Sequence, residues 1–187
     1  MEPSDLARFE AVILPHLDAA YGLARYLTRD DADADDVVQE ALLRALRYFA
    51  GFRGEGAAQG RAWILAIVRN MAYTTRRRRR VDNATEEFDE SLHSDAAAEH
   101  HPAADFARRD SRETLAQALD RLPAELREVI VLREIEGLSY KEIAEVADVP
   151  IGTVMSRLSR ARRRLQAAQA TDPAGPPASG PREGAVR

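Results

Sequence analysis

The sequence predicts an all-α protein: two small helical domains joined by an acidic flexible linker. Three observations carry this. Apolar residues recur at helical spacing from Asp5 to about Arg80, and again from about Arg108 to about Ala168. No strand-like alternation occurs in the first half. Between the two stretches the apolar content collapses, and Asp82 to Asp105 carries acids without a Lys or Arg. A segment of that composition buries too little surface to offset the entropy of ordering. The expected bounds are a domain at 1–80, a linker at 81–109, a domain at 110–169 and a disordered Pro/Gly/Ala-rich tail at 170–187.

A chain of 187 residues fits one or two small domains. Leu6, Phe9, Val12 and Ile13 mark a first helical stripe, and Ala20, Leu23, Ala24 and Leu27 a second. Asp33 or Asp35 is expected to cap the next helix, whose stripe is Val37, Val38, Ala41, Leu42, Ala45, Leu46 and Phe49. Gly51, Gly54, Gly56 and Gly60 mark a loop. Trp63, Ile64, Ile67, Val68 and Met71 then form one side of a further helix. In the second half Leu115, Ala118, Leu119 and Leu122 make a stripe, and Pro123 opens a helix containing Leu126, Val129, Ile130 and Leu132.

Net charge is −4, which argues against a simple DNA-coating protein, but the distribution says more. Arg76 to Arg80 is an unbroken basic run, and Ile151 to Leu165 holds five arginines and no acid. Asp30, Asp31, Asp33, Asp35, Asp36 and Glu40 crowd one early helix. Such a chain is expected to meet both a polyanion and a cationic protein surface. Absence of Cys excludes a disulfide framework, a thiolate zinc site and a thiol switch within the chain. The longest apolar stretches, such as Val129 to Leu132, are too short to span a bilayer, and Met-Glu-Pro-Ser-Asp does not open a signal peptide. A cytoplasmic protein without membrane insertion is expected. His93, His100 and His101 read as solvated linker histidines, so no metal or cofactor is expected. No catalytic constellation supports an enzyme.

The strongest local motif lies near the C-terminus. Ser139 precedes Glu142 by three residues, the capping-box pattern, and Ile143, Ala144 and Ala147 form the inner face of the helix it opens. Asp148-Val149-Pro150 breaks that helix and Ile151 begins another. Val154 and Leu158 are expected to face inward, with Thr153, Met155, Ser156, Arg157, Ser159 and Arg160 facing out. Ala144 is small where the second helix must cross closely. A helix of this kind lies in a DNA major groove with its N-terminal half near base edges and its arginines near phosphates. An ordinary helical hairpin with a basic face is the plainer alternative.

The run Leu122 to Tyr140, read with Gly152 to Arg162, resembles region 4 of bacterial sigma factors in its extracytoplasmic-function (ECF) version. The resemblance implies that Thr153, Met155, Ser156, Arg157, Ser159 and Arg160 bind a −35 promoter element and that this domain sits on the β flap of RNA polymerase. Met155 stands where some relatives carry a basic residue. Asp36-Val37-Val38-Gln39-Glu40-Ala41-Leu42-Leu43-Arg44-Ala45 similarly resembles sigma region 2. It implies that Asp36, Gln39, Glu40, Leu43 and Arg44 dock on the β′ clamp helices of core polymerase. Phe52-Arg53-Gly54 and Arg61 to Asn70 resemble the promoter-melting segment. By that likeness Arg53, Arg61, Trp63, Arg69, Asn70, Arg76 and Arg77 bind the −10 element, Asn70 reading a base and the arginines holding phosphates. Trp63 also reads as core, the commoner fate of a lone Trp on an apolar helical face. The Gly54 to Gly60 loop is a few residues longer than the family pattern.

The resemblance covers about Asp5 to Arg80 and Asp110 to Leu165. It implies an ECF sigma factor that directs promoter-specific initiation by core RNA polymerase, under the control of an anti-sigma factor. The acidic linker would thread toward the polymerase active-site channel. Two other readings stay open: a DNA-binding regulator that acts without replacing sigma, and a protein–protein adaptor whose helix-turn-helix has lost DNA.

Overall fold

The computed structural model describes residues 3–54, 56–86 and 115–170. Helix α1 (Pro3–Ile13) closes in a 3-10 turn and is followed by α2 (Leu17–Thr28), α3 (Asp31–Tyr48) and the long α4 (Ala57–Glu86). Residues 115–120 are helical (α5). Helix α6 (Ala124–Ile130) runs on into a π-helical turn (Val131–Ile135), then come α7 (Tyr140–Ala147) and α8 (Ile151–Ala170). No strand occurs among the described residues. The linker histidines and the tail after residue 170 lie outside them.

In the N-terminal unit α2, α3 and α4 pack on one another and α1 lies across α4. Leu23, Leu27, Val37, Ile64, Leu65 and Val68 fill the centre, and the buried alanines Ala34, Ala41 and Ala45 let α3 approach its neighbours closely. Asp30, rather than Asp33 or Asp35, caps α3: its backbone is extended, and its carboxylate accepts from the Asp33 amide at 2.8 Å. Asp33 falls within the first turn, where it is buried against Arg79 at 2.5 Å. Gly60 is no loop breaker. It sits in the first turn of α4, where a Cβ would stand 2.4 Å from a Val12 methyl carbon and 2.5 Å from the Val12 carbonyl. Only glycine permits that crossing. Helix α4 also runs to Glu86, past the expected end at Arg80. Val81 to Glu86 contains no Gly or Pro, and a nucleated helix adds a hydrogen bond for each residue it fixes.

In the C-terminal unit the capping box is complete. The Ser139 hydroxyl accepts from the Glu142 amide, and the Glu142 carboxylate accepts from the Ser139 amide at 2.8 Å. Hydrogen bonding to the carboxylate from Ser139, its side chain first and its backbone amide second, holds the Glu142 carboxyl below its ordinary range. Asp148 turns the chain in a left-handed conformation and α8 begins three residues later. Ile143, Val146, Ala147, Val154, Leu158 and Ala161 are buried between α7, α8 and α6, while Ala144 is half-buried.

The two units share one hydrophobic cluster, with α4 against α7 and α2 against α6. Arg127 on α6 is fully buried at this junction. Its guanidinium donates to the carbonyls of Leu119, Asp120 and Leu122 at the end of α5, and to that of Tyr26 in α2. These carbonyls lie at or next to helix ends, and their negative dipole offsets the desolvation of the cation. The π turn brings the Glu136 amide to the Val131 carbonyl and swings Glu136 toward α2. A Cβ on Gly22 would lie 3.4 Å from a Glu136 carboxylate oxygen.

Candidate nucleic-acid interface

Helix α8 turns Val154, Leu158 and Ala161 into the core, which leaves Gly152, Met155, Ser156, Ser159, Arg160 and Arg163 on the solvent side. The face carries no acid. Thr153 and Arg157 were expected to face out but are half-buried. They flank the buried ridge of Val154 and Leu158, and Arg157 leans toward α6. Arg157 lies 3.9 Å from the Glu125 carboxylate, with one guanidinium nitrogen buried and without a hydrogen-bond partner. Arg162 binds Glu134 at 2.7 Å and ties α8 to the π turn.

The residues expected at the −10 element divide into two groups. Arg53, Asn70 and Arg77 are exposed. Arg61 and Arg69 lie half-buried where α4 meets the C-terminal unit. Arg61 donates to Glu136 at 2.7 Å, and Arg69 donates to Glu128 and to the Asn70 amide oxygen. Arg76 is half-buried. Trp63 is also half-buried, its ring 4.8 Å from that of Phe52 and 6.2 Å from that of Phe49. Its ring therefore belongs to an aromatic cluster, as the core reading expects. Arg8 braces the following loop by donating to the Phe52 and Gly54 carbonyls while lying over the Phe49 ring.

The third group is brought together on one face. Asp36, Gln39, Glu40, Leu43 and Arg44 are all exposed along α3, with Arg44 3.1 Å from Glu40. Leu43 is 62% exposed, as is Tyr48 further along. A singly exposed leucine is ordinary, and Leu43 is distinguished only by sharing its face with Asp36, Gln39, Glu40 and Arg44.

Sequence reasoning missed Glu128, Tyr73 and Glu136. Glu128 on α6 is fully buried, accepting from Arg69 and, at 2.9 Å, from the Tyr73 hydroxyl. Burial pushes the Glu128 carboxyl above its ordinary range, with Arg69 and Tyr73 pulling the other way. Burial, reinforced by that carboxylate, raises the Tyr73 hydroxyl too, so Tyr73 stays protonated as a donor. The available signal was an acid followed directly by apolar Val129 and Ile130 on a helix largely committed to the core. Its partners are more than fifty residues away, beyond any local pattern.

Among the described residues the fold is all-helical, with an exposed polar face on α3 in one unit and an acid-free outer face on α8 in the other. The match to known families is specific. Residues 12–81 match sigma-70 region 2 and residues 112–165 match sigma-70 region 4. The RNA polymerase sigma-H factor of Pseudomonas aeruginosa is 34% identical over 174 residues, covering 90% of this chain and 89% of that one. The ECF RNA polymerase sigma-E factor of Haemophilus influenzae is 33% identical over 175 residues, 89% of each. Among solved structures, the sigma factor RpoE in complex with the anti-sigma factor NepR from Bartonella quintana superposes with a TM-score of 0.69 at 29% identity. That match covers 88% of this chain and 98% of that one. CnrH, solved with the cytosolic domain of CnrY, gives 0.60 at 27% identity, covering 88% of each. The chain belongs to the ECF family of RNA polymerase sigma factors. Members of this family are transcription initiation factors rather than enzymes. No helix among the described residues is long and apolar enough to cross a membrane.

Proposed function

We propose that each unit of this sigma factor carries one part of promoter recognition. The exposed face of α3 docks on the β′ clamp helices of core polymerase through Asp36, Gln39, Glu40, Leu43 and Arg44. Helix α8 reads the −35 element, with Arg160 and its neighbouring arginines on phosphates. Helix α4 and the preceding loop take the −10 element through Arg53, Asn70 and Arg77, and through Arg61 and Arg69 once these exchange Glu136 and Glu128 for phosphates. An apolar groove lined by Leu115, Leu119, Ile130, Ile135 and Leu165 is the surface offered to the β flap. The acidic linker approaches the polymerase active-site channel. An anti-sigma factor holds the chain in check, as the partner-bound states of the two structural neighbours suggest.

The observation that carries this reading is the exposure of all five α3 residues on one face, in a chain that also bears an acid-free recognition helix. The test is transcription in vitro on fragmented genomic DNA, with core polymerase alone and with core plus this chain. New defined start sites sharing spaced −35 and −10 elements are expected. Promoter binding without core and no new starts would favour a regulator that does not replace sigma.

A further inference from the structure

Ile151 and Met155 stand one turn apart on the outer side of α8 and are 50% and 54% exposed. Scattered exposed apolar residues are normal. These two are adjacent, and they lie in the first half of a helix whose other exposed residues as far as Arg164 are Gly152, Ser156, Ser159 and arginines. Gly152 adds a second observation. A Cβ there would meet nothing within 4 Å, so packing inside the protein does not require a glycine at this helical position. A bare backbone on the outer face allows close approach by something outside the chain.

Bases differ in what they offer such a surface. In the major groove G, C and A present only hydrogen-bonding groups, whereas T also presents its C5-methyl. Ile151 can answer neither a donor nor an acceptor and the Met155 thioether is only a weak acceptor, but both can cover a methyl. Residues four apart on a helix are separated by about 6 Å along its axis. Base pairs are stacked about 3.4 Å apart. The two side chains therefore reach positions one or two base steps apart.

Building on the −35 reading of α8, we propose that Met155 and Ile151 determine promoter specificity by packing on thymine methyl groups in the −35 element. Gly152 lets the helix sit deep enough for both to reach. The arginines further along α8 supply the sequence-independent hold, and the apolar pair supplies part of the choice.

The experiment uses holoenzyme, the full chain with core polymerase. Promoters are first mapped by start sites on fragmented genomic DNA. Their −35 duplexes are then remade with deoxyuridine replacing each thymine in turn, which deletes only the methyl. Affinity should fall about fourfold for each contacted methyl, at one or two positions. Met155→Ala should abolish the effect at one of these positions, and Met155→Arg should shift the preference there toward G·C. Both substitutions are at an exposed position, and circular dichroism verifies that the variants fold. A −35 element without thymine, equal affinity for every deoxyuridine duplex, or methyl dependence unchanged in both Met155→Ala and Ile151→Ala overturns the proposal while leaving the −35 reading intact. Absence of any new start sites, with folded protein and active core, overturns both.

Discussion

Arg127 shows how much one side chain can depend on its surroundings. It is a fully buried cation whose compensation comes from helix-end carbonyls. Arg127→Leu should cost about 3 kcal/mol or more, because four carbonyls at the junction each lose a hydrogen bond from the guanidinium. Arg127→Lys should recover little of this, since an ammonium lacks the planar fork that reaches both α5 and Tyr26. Urea unfolding midpoints would measure both. Ser139→Ala should cost about 1 kcal/mol by loss of the N-cap. The Glu142 half of that box has its own pH signature. Its carboxyl is held below the ordinary Glu value of 4.5, so its contribution is full above that value and disappears as pH falls through the depressed one. Glu142→Gln should flatten that part of the stability profile. The capping box was legible because it is local, two residues three apart. Arg127 was not, because an arginine in an apolar stripe reads as a surface residue until the carbonyls it serves are placed in space.

At the scale of elements, α4 links the two halves of the molecule. Its exposed residues Asn70 and Arg77 face solvent, while Arg61, Arg69 and Tyr73 face the C-terminal unit. Glu128→Ala should be strongly destabilising, by about 3 kcal/mol or more, since it removes one partner of a buried pair. Glu128→Gln, which keeps a hydrogen-bonding group, should cost less. A double-mutant cycle with Arg69→Met measures the coupling directly, and a value near zero would show the pair to be incidental. The existence of α1 to α4 and of the helix-turn-helix followed from apolar periodicity. The start of α3 and the end of α4 did not. Asp30, Asp33 and Asp35 are chemically interchangeable caps, and only the extended backbone at Asp30 selects among them. Gly60 reads as a breaker in sequence, yet its role comes from the crossing with Val12, a contact across most of the unit.

For the whole molecule, the described arrangement is closed. Arg61 and Arg69, two residues proposed to hold −10 phosphates, are paired with carboxylates of the other unit. Removing both carboxylates, as in Glu128→Ala with Glu136→Ala, should raise the radius of gyration of the free chain in small-angle scattering. An unchanged radius would mean that the apolar contact alone keeps the units together. The all-α class and the division into two helical units were readable from composition and periodicity. Their mutual packing was not, because nothing local in either unit's pattern reports on a surface contributed by the other. The exposed faces of α3 and α8 were legible for the opposite reason: each is a helical stripe facing solvent, complete within a few turns.

Gly22 offers a purely steric handle on this arrangement. It lies in the middle of α2, and the carboxylate of Glu136 approaches to within contact distance of where its side chain would begin. Alanine there should be accommodated by a small adjustment of Glu136. Leucine would act as a wedge, pushing the units apart by volume while leaving the charges of Glu128 and Glu136 in place. A genetic screen for alleles with raised promoter output would then be expected to recover bulky substitutions at a residue outside the proposed DNA and polymerase contacts. Such alleles would separate the contribution of shape from that of charge in keeping the molecule shut.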